Sequence, residues 1–305
     1  MNSKVKGNLA MFVSKIFSGL NENALRYLLP NFMSACSGVF MRVGFAAGFF
    51  WLIGLFKRHD STPSTVRQRF GLLALGFICV FGYMFFLLKG LTYTTPISSS
   101  IFISLQPVCV FLICLLIGRE KADALKVVGI LLGVAGAIVC VVTQKTSDVA
   151  SNPTLGNFYC AASTIVYSTY LIVSKQFLRK LDNITVSKWT FLGAAIAAAP
   201  VAFITGWDAP VLKMAVFSAP MLVLLFVLVF PSSVSYLLID RGLKNLTATV
   251  VSLYAGVILI VASVVSYITG QDHFSWWQIL SMVMIIISIW LVEREEQKTA
   301  PASAK

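Results

Sequence analysis

Charge is what this sequence has least of. Asp and Glu together number 12 in 305 residues, His only 2, and charged residues are 12% of the chain against 58% hydrophobic. A soluble globular protein carries about 25% charged and about 45–50% apolar residues. The shortage therefore excludes a soluble enzyme, a disordered chain and a fibrous one. Length alone would admit one or two ordinary domains. Composition, with a mean hydropathy of +0.85, makes the chain an integral membrane protein instead.

Further absences exclude particular chemistries. The cysteines Cys36, Cys79, Cys109, Cys114, Cys140 and Cys160 all lie in apolar runs, and none forms a CxxC or another metal-ligand spacing. They read as small buried hydrophobes, and no metal is expected. No G-x-x-x-x-G-K-[ST] phosphate loop is present, which argues against ATP-driven transport by this chain. There is no HExxH, and His59 and His273 fall in predicted loops. No Ser-His-Asp set and no paired carboxylates fall at membrane depth. No catalytic residue, no cofactor and no enzymatic activity are expected.

What the sequence does contain is a series of runs without Asp, Glu, Lys or Arg: 70–88, 90–118, 127–144, 149–174, 189–207, 214–239, 245–271 and 274–292. About 20 apolar residues cross a bilayer as a helix, and each run is close to or above that length. A ninth run, 30–56, is broken only by Arg42, and a tenth, roughly 6–28, carries Lys15, Glu22 and Arg26. None shows the polar–apolar alternation of barrel strands. The fold class expected is all-α integral membrane, with ten transmembrane helices and almost nothing left for a soluble domain. Lys4 and Lys6 before an apolar stretch imitate a signal peptide, but Lys15 interrupts it and no small-x-small cleavage site follows. The segment is read as a retained first helix.

The net charge of +12 is distributed by side. With the N-terminus inside, the inner segments hold Lys4, Lys6, Lys57, Arg58, Arg67, Arg69, Arg119, Lys121 and Lys126, then Lys175, Arg179, Lys180, Lys188, Arg241, Lys244, Arg294, Lys298 and Lys305. The outer segments hold only Arg26, Lys89, Lys145 and Lys213. This is a positive-inside pattern. It assigns the basic residues to topology rather than to nucleic acid. It predicts a multi-pass protein of the cell (inner) membrane with both termini cytoplasmic.

The chain also repeats itself. At an offset of 149, Gly7-Asn8 meets Gly156-Asn157, Ser14 meets Ser163, Ile16 meets Ile165 and Leu29 meets Leu178. At an offset of 152, Lys89-Gly90-Leu91 meets Arg241-Gly242-Leu243, Thr95 meets Thr247, Ser100 meets Ser252, Gly118 meets Gly270 and Glu120 meets Asp272. A five-helix unit has an odd number of crossings, so its second copy enters from the opposite side. Residues 1–148 and 149–305 are therefore expected to be two inverted five-helix repeats. Secondary transporters built this way bind substrate near the midplane between the halves.

Short motifs add a family resemblance. Phe17-Ser18-Gly19-Leu20-Asn21, Arg42, Leu105-Gln106-Pro107-Val108, Gly118-Arg119-Glu120, the stretch Gly129-Ile130-Leu131-Leu132-Gly133-Val134-Ala135-Gly136 and Ser252-Leu253-Tyr254 stand at successive points of the chain. Together they resemble the EamA-type branch of the drug/metabolite transporter superfamily. Ser18, Glu22 and Leu259 depart from that family's usual residues at their positions. The resemblance implies export of small metabolites, amino acids first among them.

Ionisable groups at membrane depth usually face a partner or a water-filled cavity. Lys15 and Arg42 fall near the middle of the first and second helices. Glu22 lies two turns after Lys15 on one helix face, and Arg26, four residues on, is its expected ion-pair partner. The remaining acids are placed near helix ends or in loops. On this reading Lys15 and Arg42 are left to bind a carboxylate or phosphate. The bland alternative is that Arg42 bonds backbone carbonyls and Lys15 snorkels. Glu22 is alternatively a proton-coupling carboxylate.

Pro107 and Pro231 interrupt the fourth and eighth helices and free the carbonyls of Ile103 and Val227. Gln106, Ser232 and Ser233 stand ready either to satisfy that backbone or to bond substrate. Tyr83, Tyr167, Tyr170 and Tyr254 lie inside helices, where they either line a polar cavity or pack between helices. Trp276 and Trp277 are interfacial anchors. Gly129, Gly133 and Gly136 share a face suited to close packing, within the chain or in a homodimer. The function expected is a secondary transporter, an exporter of amino acids or other carboxylate-bearing solutes, working by alternating access. The partners are an anionic or zwitterionic solute and the bilayer. The rivals are a flippase for a lipid or lipid-linked headgroup, and a non-transporting sensor or assembly component.

Overall fold

The computed structural model describes residues 3–56, 64–118, 124–143, 150–246, 248–272 and 275–299. Lys57, Arg58, His59, Arg119, Glu120, Lys121, Lys145, Thr247, His273, Lys305 and the 148/149 boundary lie outside them, as do the side chains of Lys4, Lys126, Arg294 and Lys298. Among the described residues there is helix and no strand. The helices are α1 Ser3–Leu28, α2 Ala35–Phe56, α3 Val66–Tyr93, α4 Pro96–Leu116 and α5 Ala124–Thr143, then α6 Pro153–Leu178, α7 Asn183–Ile204, α8 Ala219–Asn245, α9 Val250–Ile268 and α10 Trp276–Thr299.

Local chemistry sets several starts and stops. Thr65 and Gln68 form a reciprocal capping box ahead of α3. Thr95 followed by Pro96 opens α4, with the Ser98 amide donating to the Thr95 hydroxyl. Asn152 before Pro153 and Asp182 before Asn183 cap α6 and α7 in the same way. Gly118 and Gly270, a repeat-equivalent pair, follow α4 and α9 with φ of +69° and +67°. That left-handed conformation ends a helix at no steric cost only in glycine.

Six helices, α2, α3, α4, α7, α8 and α9, are long and apolar enough to cross a membrane. Their outer faces are not those of a water-soluble protein: Leu55, Leu116, Ile204 and Ile268 are each more than three-quarters exposed. Such a belt of bare aliphatic surface is stable only against hydrocarbon. The chain is a multi-pass membrane protein. Of the four helices outside those six, α5 and α10 have shorter apolar stretches, while α1 and α6 correspond at the offset of 149. They carry Lys15, Glu22 and Asn23, and Asn157, Ser163, Thr164 and Ser168, all buried. They are polar because they face inward.

Packing follows a paired pattern. α1 lies against α8 and α9, while α6 lies against α3 and α4; α2 packs on α7, and α5 on α10. Individual contacts recur at the offsets of 149 and 152. Gly7 rests against Leu246, and Gly156 against Thr94. The Ser14 hydroxyl donates to the Ser235 carbonyl at 3.3 Å, and that of Ser163 to the Tyr83 carbonyl at 3.0 Å. Gly19 abuts the Ile258 carbonyl, while the Ser168 hydroxyl reaches the Gln106 carbonyl.

Helix breaks occur both with and without proline. α4 bends at Leu105, just before Pro107, and α8 makes a π-helical turn over Phe230–Val234 around Pro231. α3 makes a matching π-helical turn over Gly76–Val80 without any proline, and α9 breaks at Tyr254. At Gly76 the backbone runs so close to α7 that a Cβ would lie 1.7 Å from the Thr190 carbonyl oxygen. The glycine face of α5 is occupied within the chain. Ser281 and Ser288 of α10 donate to the carbonyls of Gly136 and Gly129 at 2.8 and 2.6 Å. That packing accounts for the small residues on this face.

Candidate functional site

Where α1, α2, α3, α4, α6, α8 and α9 converge, they leave a cavity of about 60 Å³ deep in the bundle. Its wall includes five pairs of positions that correspond at the offsets of 149 and 152: Lys15 with Thr164, Ser18 with Tyr167, Tyr83 with Ser235, Leu87 with Ile239, and Gln106 with Ile258. The chemistry across those pairs is unequal. Residues before 149 supply every charged and amide group, Lys15, Asn21, Glu22, Arg42 and Gln106, beside Ser18, Tyr83, Leu87 and Ile103, whereas those after it supply Tyr167, Tyr236, Ile239, Ile258 and Pro231 with the hydroxyls of Ser163, Thr164 and Ser235. One wall is ionic and amide-bearing, and the other is mainly aromatic and aliphatic.

Lys15, 1% exposed, sits with its Nζ 5.4 Å from the centroid of the Tyr167 ring. That is cation–π distance, and a ring offers a desolvated ammonium only partial compensation. Arg42 is anchored through Nε, which donates to the Ser232 hydroxyl at 2.9 Å, while its buried Nη1 has no hydrogen-bond partner. Glu22 accepts the Ser99 hydroxyl at 2.8 Å and lies within reach of the Arg42 charge. The expected Glu22–Arg26 pair gives way to this arrangement, and Arg26 Nη1 donates instead to the Leu29 carbonyl. The reason is geometric: Glu22 points into the bundle toward α2 and α4, whereas Arg26 points back along the loop after α1. Arg42 is thus not a cation without an acid nearby.

Gln106 is buried, and neither its Oε1 nor its Nε2 has a partner. A buried amide left wholly unsatisfied costs about 1–3 kcal/mol, so its place at the cavity wall points to a ligand or water that completes it. The Asn21 Oδ1 at the same wall is also unpartnered. Tyr83 and Tyr236 join hydroxyl to hydroxyl across the cavity between α3 and α8.

The other candidates lie around this centre. Tyr170 stands one layer behind, stacked on Tyr167 at 5.8 Å, with its hydroxyl unpartnered. Ser233 donates to the Leu228 carbonyl at 2.9 Å and does not line the cavity. Ser232 takes the Val227 carbonyl at 2.8 Å, so both serines satisfy the backbone loosened around Pro231. On α4, the Phe102 carbonyl accepts both the Thr164 hydroxyl and the Leu105 amide at 3.1 Å; Pro107 itself is buried. Tyr254 marks the α9 break and packs on the core rather than on the cavity.

Sequence reasoning missed Asn21, Ser163, Thr164, Ser235 and Tyr236. The repeat offered a signal for some of them: Thr164 is the counterpart of Lys15, and Ser235 that of Tyr83. It also missed the depth of one acid. Asp240, near the end of α8, is fully buried, with the Ser187 hydroxyl donating to Oδ2 at 2.6 Å and Oδ1 without a partner. The charge-free run stops one residue before it, so position in the run concealed its depth.

Comparison with known proteins agrees with the architecture. The EamA-like transporter family matches residues 5–142 and again 154–294. An uncharacterized transporter of Bacillus subtilis (strain 168), YyaM, is 21% identical over 278 residues, covering 90% of this chain and 89% of the relative. The aromatic amino acid exporter YddG of Ancylobacter novellus is 27% identical over 157 residues, 51% of this chain and 52% of that one. A solved crystal structure shares the fold with a TM-score of 0.67 at 16% identity, covering 96% of this chain and 98% of its own.

Proposed function

The chain belongs to the EamA-like transporter family, and on that premise we propose that it is a secondary transporter exporting small carboxylate-bearing solutes, amino acids foremost, by alternating access. Ten membrane-crossing helices form two inverted halves, 1–148 and 149–305, with both termini in the cytoplasm. The recurrence of the Gly7–Leu246, Ser14–Ser235 and Gly19–Ile258 contacts at equivalent positions of the other half supports that arrangement. A site on the pseudo-twofold between two such halves is reached from either side as one half rocks against the other.

The observation that carries the substrate class is the cavity's divided wall. Arg42 is held by Ser232 with Glu22 within reach of its charge, which leaves Lys15 as the cation that a solute carboxylate would meet. Gln106 beside it has both donor and acceptor open. The facing Tyr167, Tyr236 and Ile258 suit an apolar or aromatic body. The solute is then amphipathic: a carboxylate head toward α1, α2 and α4, and an apolar body toward α6, α8 and α9. The relative that exports aromatic amino acids is consistent with that shape.

Thermal unfolding of the purified protein against neutral, cationic and carboxylated solutes tests the reading. A ligand at about a hundredfold excess over its Kd raises apparent stability by about 2.7 kcal/mol. Stabilisation by aromatic or aliphatic amino acids that vanishes in Lys15→Met supports it. Stabilisation by cationic solutes alone would overturn the substrate class.

A further inference from the structure

One buried acid stays outside the site just described. Asp240 of α8 lies one turn beyond Tyr236, behind the cavity wall and toward the end of α8 that the topology above places in the cytoplasm. Its Oδ2 holds the Ser187 hydroxyl of α7, and its Oδ1 is buried without a hydrogen bond. Nearby, the Tyr170 hydroxyl of α6 is also buried and unpartnered, and lies within electrostatic reach of the carboxyl.

The repeat shows that the fold does not need an acid here. Asp240 and Ser187 correspond, at the offsets of 152 and 149, to Leu88 and Gly38. Those two pack directly on each other, the Gly38 backbone against the Leu88 side chain. The same helix crossing is therefore made with an aliphatic contact in one half and an acid–hydroxyl pair in the other. Burying a carboxyl where a leucine serves equally is costly, so its retention calls for a role other than packing.

Its surroundings separate it from Glu22. Glu22 lines the cavity itself, with the Arg42 charge within reach, whereas Asp240 stands behind the wall. Around Asp240, α6 presents Tyr167 and Tyr170, while Lys175 is turned away to the carbonyls of Leu243 and Leu246. Lys244, one turn on along α8 and exposed to water, is a cation whose charge reaches Asp240. α7 offers the Ser187 hydroxyl, its Lys188 lying over Trp51 and Trp189. Across the cavity wall, α1 holds Lys15 on the Tyr167 ring and α3 ties Tyr83 to Tyr236. The part of α9 that packs on this end of α8 carries no ionisable side chain.

We propose that Asp240 is the proton-carrying group of the transport cycle, coupling proton movement to solute movement through the α7–α8 contact. The proton binds at Oδ1, the oxygen without a partner, while Oδ2 keeps the Ser187 bond. It leaves to water when the cytoplasmic ends of α7 and α8 part. Because the neutral acid can stay in the closed packing and the carboxylate is better placed in water, protonation biases which face is open. The coupling role rests on the transporter reading above; the proton-binding site does not.

The test has two arms. Infrared difference spectra of the protein in lipid vesicles, recorded across a pH series without any solute, read protonated carboxyl groups directly. The expected result is a carboxyl band that titrates in the wild type and in Glu22→Gln, is lost in Asp240→Asn, and changes its midpoint in Ser187→Ala. Asparagine retains an oxygen for Ser187, and the serine variant keeps the carboxyl should Asp240→Asn not fold. A titrating band untouched by both changes, or lost only in Glu22→Gln, overturns the proposal. In the second arm, labelled L-phenylalanine is the probe in proteoliposomes. Asp240→Asn should keep solute–solute exchange and lose accumulation driven by a pH gradient; retained accumulation overturns the coupling role. Absence of wild-type flux counts against the solute assignment alone and leaves the infrared result to decide proton binding.

Discussion

The Ser232 hydroxyl accepts Nε–H of Arg42 at 2.9 Å and donates its own proton to the Val227 carbonyl at 2.8 Å. Val227 is the residue whose helical hydrogen bond Pro231 removes. One hydroxyl thus closes the gap that the proline opens and fixes the guanidinium at the cavity wall. The backbone break and the charged group are a single construction, because a hydroxyl has one proton to give and lone pairs left to receive.

Ser232→Ala should therefore affect both at once. It leaves a buried carbonyl and a buried guanidinium N–H unsatisfied, at about 1–3 kcal/mol for each such group. A lowered midpoint of thermal unfolding together with weaker solute binding is expected. A normal midpoint with weak binding would mean that water replaces the hydroxyl at Val227.

Lys15→Met should separate binding from stability. The substitution removes a buried cation whose observed contact is a ring, so stability should hold or rise, as replacing buried charge by a hydrophobe often does. Binding of a carboxylated solute should weaken by about 1.5–3 kcal/mol, the range for a hydrogen bond to a charged group. Isothermal titration and thermal unfolding on one preparation check both. Loss of stability with unchanged affinity would assign Lys15 a structural role.

The crossing of α3 and α7 gives a purely steric prediction. A Cβ on Gly76 would lie 1.7 Å from the Thr190 carbonyl oxygen, and one on Gly193 would lie 2.1 Å from that of Leu73. Alanine at either position forces the backbones apart and should cost about 3 kcal/mol or more. Gly44→Ala and Gly48→Ala, with nothing within 4 Å of the added carbon, should be neutral. Size-exclusion profiles and unfolding midpoints of the four variants would show the contrast; equal behaviour would place the α3–α7 crossing wrongly.

Tyr83→Phe and Tyr236→Phe test the hydroxyl pair across the cavity. Each single change strands a buried hydroxyl, whereas the double change removes both. The double variant should be more stable than the sum of the singles by about 1 kcal/mol. Strict additivity in the double-mutant cycle would mean that the two hydroxyls do not interact.

Particular residues show how far sequence reached. Lys15, Glu22, Arg42, Gln106 and Tyr167 stand out because each is costly in hydrocarbon, and cost is visible in composition. Pro107 and Pro231 announce helix breaks because a missing N–H is a property of the residue. The π-helical turn at Gly76–Val80 and the break at Tyr254 have no such marker. They come from how α3 and α9 meet their neighbours.

Composition and charge by themselves determined that this chain is a helical membrane protein, because burying backbone and charge in lipid is too expensive to hide. Which acid faces which cation was decided only by tertiary structure. On one helix, Glu22 and Arg26 look like partners; in the bundle, Glu22 turns to Ser99 and Arg42 while Arg26 bonds the Leu29 carbonyl. The same holds for Asp240, which stands at the edge of its apolar run yet is fully buried and bonded to Ser187 of α7. Sequence spacing fixes what lies along a helix. Depth and pairing depend on neighbours that are distant in the chain, and those exist only once the helices have packed.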